Sequence, residues 1–206
     1  MDSSFFLPGI KILEEQLNIY LSNQAEIKKH CNRADGLRNL QRYEDAIKSY
    51  EEAIQIHPQN FYCWFCRGIC LFELGRYDKA IDSFQKVLEI TKDKNFLIGA
   101  LNYIGTAQFR LERYQEALNS LKRAIEFEPV NLSGTLILAA KCLFQLKNYE
   151  EASKYCLRAI KESSKDTEVV KAANALRYQI GLKNFGFGFW FQWLGAYIPE
   201  GITSLV

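Results

Sequence analysis

One stretch of the chain decides its fold: residues 64–84 read WFCRGICLFELGRYDKAIDSF. Within it, Gly68 precedes Ala80 by twelve positions, and Tyr77 stands three positions before that alanine. Two antiparallel helices can approach closely only where neither side chain intrudes, so these two small residues mark a predicted helix crossing. The stretch therefore predicts a pair of helices joined by a short turn.

The same pattern occurs four times along the chain. Each copy has a tyrosine three residues before an alanine, and successive tyrosines are 34, 37 and 35 residues apart. The pairs are Tyr43/Ala46, Tyr77/Ala80, Tyr114/Ala117 and Tyr149/Ala152, and the small residues twelve positions before the alanines are Ala34, Gly68, Gly105 and Ala140. A period of this length suits two helices and two turns per unit. The predicted first helices span 27–40, 61–74, 98–111 and 133–146, and the second helices span 44–57, 78–91, 115–128 and 150–163.

On these residues the sequence resembles the tetratricopeptide repeat (TPR) family. The resemblance is carried by the period and by two runs, which are Trp64, Gly68, Leu71, Gly75, Tyr77, Ala80 and Phe84, then Ala117, Ala124 and Pro129. It implies an all-α fold, an α-solenoid of about four helix-turn-helix units. The departures from the family pattern leave this prediction intact; they are His30 in place of tryptophan, Lys92 and Ser164 in place of prolines, and three extra residues after Lys94.

The predicted organisation has four parts. Residues 1–26 form an N-terminal segment whose Ile10–Leu21 helix either caps the first repeat or binds a partner. Residues 27–166 form the array, with units at 27–60, 61–94, 98–131 and 133–166. Residues 167–183 form a capping helix, in which Ala172, Ala173, Leu176 and Ile180 cover the last repeat, and residues 184–206 form an aromatic tail.

Composition argues against several classes of partner and site. Lysine plus arginine number 26 against 24 acidic residues, a net charge of +2, so no field is available to collect nucleic acid. The amino terminus lacks the basic start of a secretory leader, and the six cysteines are expected to be reduced thiols in a cytoplasmic protein. The longest uncharged stretch, residues 184–199, is 16 residues long, shorter than a spanning helix.

No catalytic motif is present, so the sequence predicts a protein that is not an enzyme, with no cofactor and no small-molecule substrate. His30 and His57 both fit structural positions. Cys63, Cys66 and Cys70 follow one side of a helix and could hold a soft metal or act in redox chemistry, but no fourth ligand is nearby. Free cysteine behaves as a small hydrophobe, so packing is the preferred interpretation and no metal site is predicted.

The TPR resemblance implies a concave wall built from the first helices and used to bind a peptide. The predicted partner-binding residues are Tyr62, Phe65, Ile69, Phe72, Asn102, Thr106, Phe109, Arg110, Lys141 and Phe144. They suit a protein or peptide partner with bulky apolar anchors and one acidic group. The alternative is that neighbouring helices partly cover the aromatic side chains. In the subclass that grips acidic chaperone tails, polar residues stand where this chain has Cys31, Asp35 and Cys66, so such a partner is not expected.

The carboxy-terminal tail concentrates aromatic residues, and left in water it would be an aggregation hazard. The predicted docking residues are Phe187, Phe189, Trp190, Phe191, Trp193 and Tyr197. Three fates are open: docking into a partner, docking on the chain's own groove, or lying at a membrane interface. The leading functional hypothesis is a non-enzymatic interaction scaffold or adaptor, and the alternative is a peripheral membrane-associated assembly factor anchored by this tail.

Overall fold

Each predicted helix pair is present in the computed structural model, which describes the backbone of residues 6–127, 132–163 and 167–194 and the side chains of residues 11–127, 132–163 and 168–183. Every regular element in those ranges is an α-helix. The helices are α1 (Phe6–Asn39), α2 (Tyr43–Ile56), α3 (Phe61–Glu73), α4 (Tyr77–Ile90), α5 (Lys94–Arg110), α6 (Tyr114–Phe127), α7 (Ser133–Gln145), α8 (Tyr149–Glu162) and α9 (Thr167–Leu194). The predicted all-α solenoid class is confirmed.

The chain divides into two compact units, 1–107 and 108–206, with the boundary inside α5. In the first unit the small residues sit where the sequence predicts helix crossings: Ala34, Ala46 and Ala80 have no exposed surface. A Cβ added at Gly68 would come within 2.8 Å of the Phe84 ring, so only glycine permits this approach of α3 to α4.

The core of the second unit is built from α6, α7, α8 and α9. Ala117, Ala140 and Ala152 are fully buried in it. Of the residues predicted to form the C-terminal cap, Ala173, Leu176 and Ile180 of α9 lie in this cluster, whereas Ala172 is exposed. The apolar face of α9 therefore packs on the helix pair before it.

Two helices begin earlier than predicted. Helix α1 runs without a break from Phe6, because no helix-breaking residue separates the predicted Ile10–Leu21 helix from the first repeat. The side chains of residues 11–26 are all exposed. The two roles expected of this segment, capping the first repeat or binding a partner, stay predictions. Helix α5 begins at Lys94, and the three extra residues extend it by most of a turn.

Helix α9 ends later than predicted. It continues to Leu194, past the predicted boundary near 183, because no proline occurs before Pro199. The first eleven residues of the predicted tail, 184–194, thus extend the capping helix. Among the described residues, no helix combines the length and hydropathy required of a bilayer-spanning segment.

Candidate functional site

The first helices of the repeats in the first unit, α1, α3 and α5, lie side by side. The Sγ atoms of Cys31 and Cys63 are 2.8 Å apart between α1 and α3, and the rings of Phe61 and Phe96 meet at 4.9 Å between α3 and α5. We call the surface that these three helices share the A-helix wall; its residues are Asp35, Arg38, Tyr62, Phe65, Ile69, Phe72, Asn102 and Thr106.

A carboxylate lies at the polar centre of the A-helix wall. Asp35 accepts a 2.6 Å hydrogen bond from the Tyr50 hydroxyl and a 3.0 Å bond from the Tyr62 hydroxyl. The Arg38 guanidinium lies 3.5 Å from the same carboxylate. Burial and the bond to Asp35 raise the pKa of Tyr50 far above its usual value, so its hydroxyl stays a donor. Helices α1, α2 and α3 are thereby joined at one polar point.

Sulfur atoms form a layer beneath the A-helix wall. Cys63, Cys66 and Cys70 are buried, and the Nη1 of Arg38 donates to Cys66 Sγ at 3.2 Å. Burial raises the pKa of the Cys66 thiol and raises that of Cys70 to about 12. In the part of the chain that the structure describes, no three His, Cys, Asp or Glu side chains are arranged to hold a metal ion. The three thiols lie buried in this layer.

Phe65 is partly committed to packing. Its half-buried ring meets those of Phe84, Phe96 and Tyr103 in edge contacts at 5.6, 5.2 and 5.9 Å between centroids. Such contacts stabilise a fold beyond the area they bury. Phe65 therefore presents only part of its ring to a ligand, as the alternative interpretation of the aromatic side chains expects.

Three of the predicted site phenylalanines share one structural contact. Phe72, Phe109 and Phe144 each stand one residue before the end of a first helix, and each ring packs edge-on against the tyrosine that begins the next helix. The ring pairs are Phe72–Tyr77 at 5.3 Å, Phe109–Tyr114 at 5.4 Å and Phe144–Tyr149 at 5.5 Å. Because the contact repeats, these phenylalanines join the two helices of each hairpin at its turn. Each of the three rings is half-buried.

The predicted polar residues differ in exposure. In the first unit Asn102 and Thr106 are half-buried, and the Thr106 hydroxyl donates to the Asn102 carbonyl at 2.7 Å. In the second unit Arg110 and Lys141 are exposed. The ten predicted site residues are thus divided between the units: Tyr62, Phe65, Ile69, Phe72, Asn102 and Thr106 in the first, and Phe109, Arg110, Lys141 and Phe144 in the second.

Two aromatic residues of α5 were missed by sequence reasoning. Phe96 packs against Phe61, Tyr62 and Phe65, and the Tyr103 ring stacks on Phe84 at 4.9 Å. Their seven-residue spacing places them on one face of α5, which is a signal in the sequence. It was hidden because Phe96 belongs to the three residues that interrupt the repeat.

The tail predictions fall outside what the structure describes. The side chains of Phe187, Phe189, Trp190, Phe191 and Trp193 lie beyond the described side chains, and Tyr197 lies beyond the described backbone. The three fates expected for the tail therefore stay predictions.

Comparison with known families and proteins identifies what the chain resembles. Models of the tetratricopeptide repeat match residues 27–60, 60–127 and 108–176. A TPR repeat-containing protein of Methanocaldococcus jannaschii is 26% identical over 171 residues, 80% of this chain and 29% of that protein. Hsp70-Hsp90 organizing protein 2 of Arabidopsis thaliana is 30% identical over 91 residues, 44% of this chain and 15% of that protein. The chain spans less than a third of either relative.

Solved structures share the fold at low sequence identity. A double mutant of MamA superposes with a TM-score of 0.68 at 17% identity, covering 78% of this chain and 86% of MamA. YrrB, described as a TPR protein with an unusual peptide-binding site, superposes with a TM-score of 0.66 at 18% identity, covering 87% of this chain and 88% of YrrB. At these identities the likeness concerns the fold.

Proposed function

The chain belongs to the tetratricopeptide repeat family, and we propose that it is a non-enzymatic scaffold or adaptor that binds a peptide segment of a partner protein on the A-helix wall. Proteins of this family generally serve protein–protein interaction. The matched relatives and structural neighbours point to no catalytic activity.

One observation carries the proposal: the A-helix wall has apolar side chains that a ligand can still reach, and the residues beneath them are buried. Tyr62, Ile69 and Phe72 of α3 are half-buried, whereas Cys63, Cys66 and Cys70 of the same helix are buried. A binding surface needs apolar groups that a ligand can cover, held by groups that do not move. The Asp35 network and the Phe65 ring contacts hold this surface in place.

The chemistry of the A-helix wall favours a peptide with bulky apolar anchors. Its central carboxylate, Asp35, already accepts bonds from two tyrosines, so it is not arranged to receive an anionic ligand. An acidic chaperone tail therefore does not suit this wall, although the Arabidopsis relative is named for organizing Hsp70 and Hsp90. The second unit, taken by itself, has exposed Arg110 and Lys141, which are the groups proposed to meet an acidic group of the partner protein.

A peptide selection tests the proposal. A displayed random-peptide library is selected against the full chain, and an enriched peptide is labelled and titrated by fluorescence anisotropy. We expect a dissociation constant of about 1 μM. Ile69→Ser should weaken binding at least ten-fold, because it removes an apolar contact on the A-helix wall.

A matched variant controls for the loss of an exposed apolar group. Leu157 lies on α8, a second helix of a repeat, and is 48% exposed. Leu157→Ser should leave the affinity within two-fold of the parent, with unchanged far-ultraviolet circular dichroism for both variants. Equal weakening by both variants, or a library in which no peptide is enriched over an unrelated protein, would contradict the proposal.

Charge reversals test the acidic contact in the same titration. Lys141→Glu places an anion on α7, and Lys161→Glu makes the same change on α8, where the lysine is also exposed. For an enriched peptide that contains Asp or Glu and binds the second unit, only Lys141→Glu should weaken binding. An equal effect of both reversals would indicate a general charge effect.

The aromatic tail and the cytoplasmic location are further parts of the proposal. The tail's partner docking, or its alternative role as an interfacial membrane anchor, concerns residues 184–206. Flotation of the full chain with neutral-lipid vesicles separates the two, since only the membrane-anchored assembly factor moves with lipid.

A further inference from the structure

Two free thiols from different helices meet beside the A-helix wall. Cys31 on α1 and Cys63 on α3 have their Sγ atoms 2.8 Å apart, although 32 positions separate them in the chain. A disulfide needs about 2.05 Å between the sulfurs. Oxidation therefore requires the sulfurs to close by less than ~1 Å.

The two thiols differ in access and in acidity. Cys31 is half-buried, whereas Cys63 has no exposed surface. The hydrogen bond between the two thiols lowers the pKa of Cys31, and the same bond, together with burial, raises the pKa of Cys63. Cys31 is thus the reachable thiol with more thiolate character, and Cys63 stays protonated behind it.

We propose that Cys31 and Cys63 form a reversible oxidation site, in which Cys31 reacts with a peroxide and Cys63 resolves the product as an internal disulfide between α1 and α3. Cys66 is less suited to this step, because it is buried and burial raises the pKa of its thiol. Cys142 and Cys156 are buried in the second unit and offer no such pair.

The reaction balances in two steps. The Cys31 thiolate attacks one oxygen of hydrogen peroxide, the O–O bond breaks, and protonation of the departing hydroxide gives water and a sulfenic acid. The Cys63 sulfur then attacks the sulfenic sulfur, the S–O bond breaks, and the thiol proton leaves with hydroxide as a second water. The two thiols lose two electrons in total, and the peroxide gains them.

Such a bond would tie α1 to α3 next to Asp35 and Tyr62. It would cross-link positions 32 apart and so restrict the unfolded chain. The oxidised protein should therefore unfold at a temperature higher by on the order of 5–10 °C, and dithiothreitol should reverse the shift.

The test uses the full chain, reduced, freed of reductant and exposed to hydrogen peroxide without denaturant. Remaining thiols are then blocked with N-ethylmaleimide in denaturant, and the digest is examined by mass spectrometry. We expect one linked peptide pair that joins Cys31 to Cys63 and disappears on reduction. Thermal unfolding of the same samples measures the shift.

Serine variants test which cysteine sulfurs form the disulfide. Cys31→Ser, at a half-buried position, should abolish both the linked peptides and the thermal shift, whereas Cys156→Ser in the second unit should retain both. The proposal is overturned if Cys31 proceeds to sulfinic acid without a link, if it cross-links two chains on a non-reducing gel, or if both thiols are recovered as N-ethylmaleimide adducts. The wild-type peptide map decides these outcomes even if a variant fails to fold.

Discussion

At the scale of single residues, the turn after each first helix depends on one backbone conformation. Gln41, Gly75, Glu112 and Lys147 have φ values of 59°, 72°, 60° and 62°. In each turn the next residue donates its N–H to a carbonyl five positions earlier, for example Arg76 to Leu71 at 2.8 Å. A residue with a side chain is disfavoured in this region by roughly 1 kcal/mol, and only one of the four positions is glycine.

A pair of glycine substitutions measures this backbone effect. A Cβ at either Gly75 or Gly36 would meet no atom within 4 Å, so packing does not distinguish the sites. Gly75→Ala should destabilise the protein by about 1 kcal/mol, because φ is positive there. Gly36→Ala, inside α1, should stabilise it by about 0.5–1 kcal/mol. Urea unfolding gives both values, and a stabilising Gly75→Ala would contradict the turn geometry.

Asp35 shows what a single residue in the sequence does not reveal. The TPR resemblance placed it at a position that one subclass of the family uses to grip a ligand. Its oxygens instead accept from Tyr50 on α2 and Tyr62 on α3. A buried donor left without a partner costs ~1–3 kcal/mol, so these bonds belong to the stability of the unit.

At the scale of elements, the start of α5 is set by a local signal that the repeat obscured. The three extra residues after Lys94 lie between the predicted units 61–94 and 98–131, and in the structure they form helix. Asp93 accepts a hydrogen bond from Asn95 N at 2.9 Å through its side chain, and from Leu97 N at 3.0 Å through its carbonyl. Phe96 then packs against Phe61 of α3, and this contact stabilises the longer helix.

Removal of the Asp93 side chain tests this explanation. Asp93→Ala should cost about 1 kcal/mol of stability, since the first turn of α5 loses its side-chain acceptor. Asp82→Ala, at an exposed position inside α4, makes the same chemical change and should stay within about 0.5 kcal/mol. Denaturant unfolding compares the two variants. Equal changes in the free energy of unfolding would mean that the loss of a negative charge, rather than the loss of the cap, destabilises the protein.

At the scale of the whole molecule, buried thiols make stability depend on alkaline pH. Burial raises the pKa of Cys70 and Cys142 to about 12 and that of Cys156 to about 11. A thiol of the unfolded chain has a pKa of about 8.5. Because the folded pKa is the higher one, the contribution is complete below the unfolded value and is lost as pH rises through the folded values.

The expected result is a thermal midpoint that is steady from about pH 7 to 8 and falls between about pH 9 and 11. Each such thiol contributes a slope of up to about 1.4 kcal/mol per pH unit. Scanning calorimetry with a phosphine reductant measures the profile, and Cys156→Ala should make it shallower. A midpoint constant up to pH ~10.5 would show that these thiols ionise as freely in the folded state as in the unfolded state.

The sequence by itself determined the repeat, the helix pairs and their crossing points, because these depend on spacings of a few residues along one or two neighbouring helices. Gly68, Ala80 and Tyr77 stand where that spacing predicts them. The binding wall of first helices came from the TPR resemblance, and its use by a partner stays a prediction.

Only the tertiary structure decided which residues of that wall make contacts with other helices of the same chain. Phe65 meets rings from α4 and α5, Asp35 binds tyrosines of two other helices, and Cys31 touches Cys63 from 32 positions away. Such contacts depend on how neighbouring repeats pack on one another. A spacing rule within one repeat carries no information about that packing, since it describes the direction of a side chain and not the group that it meets.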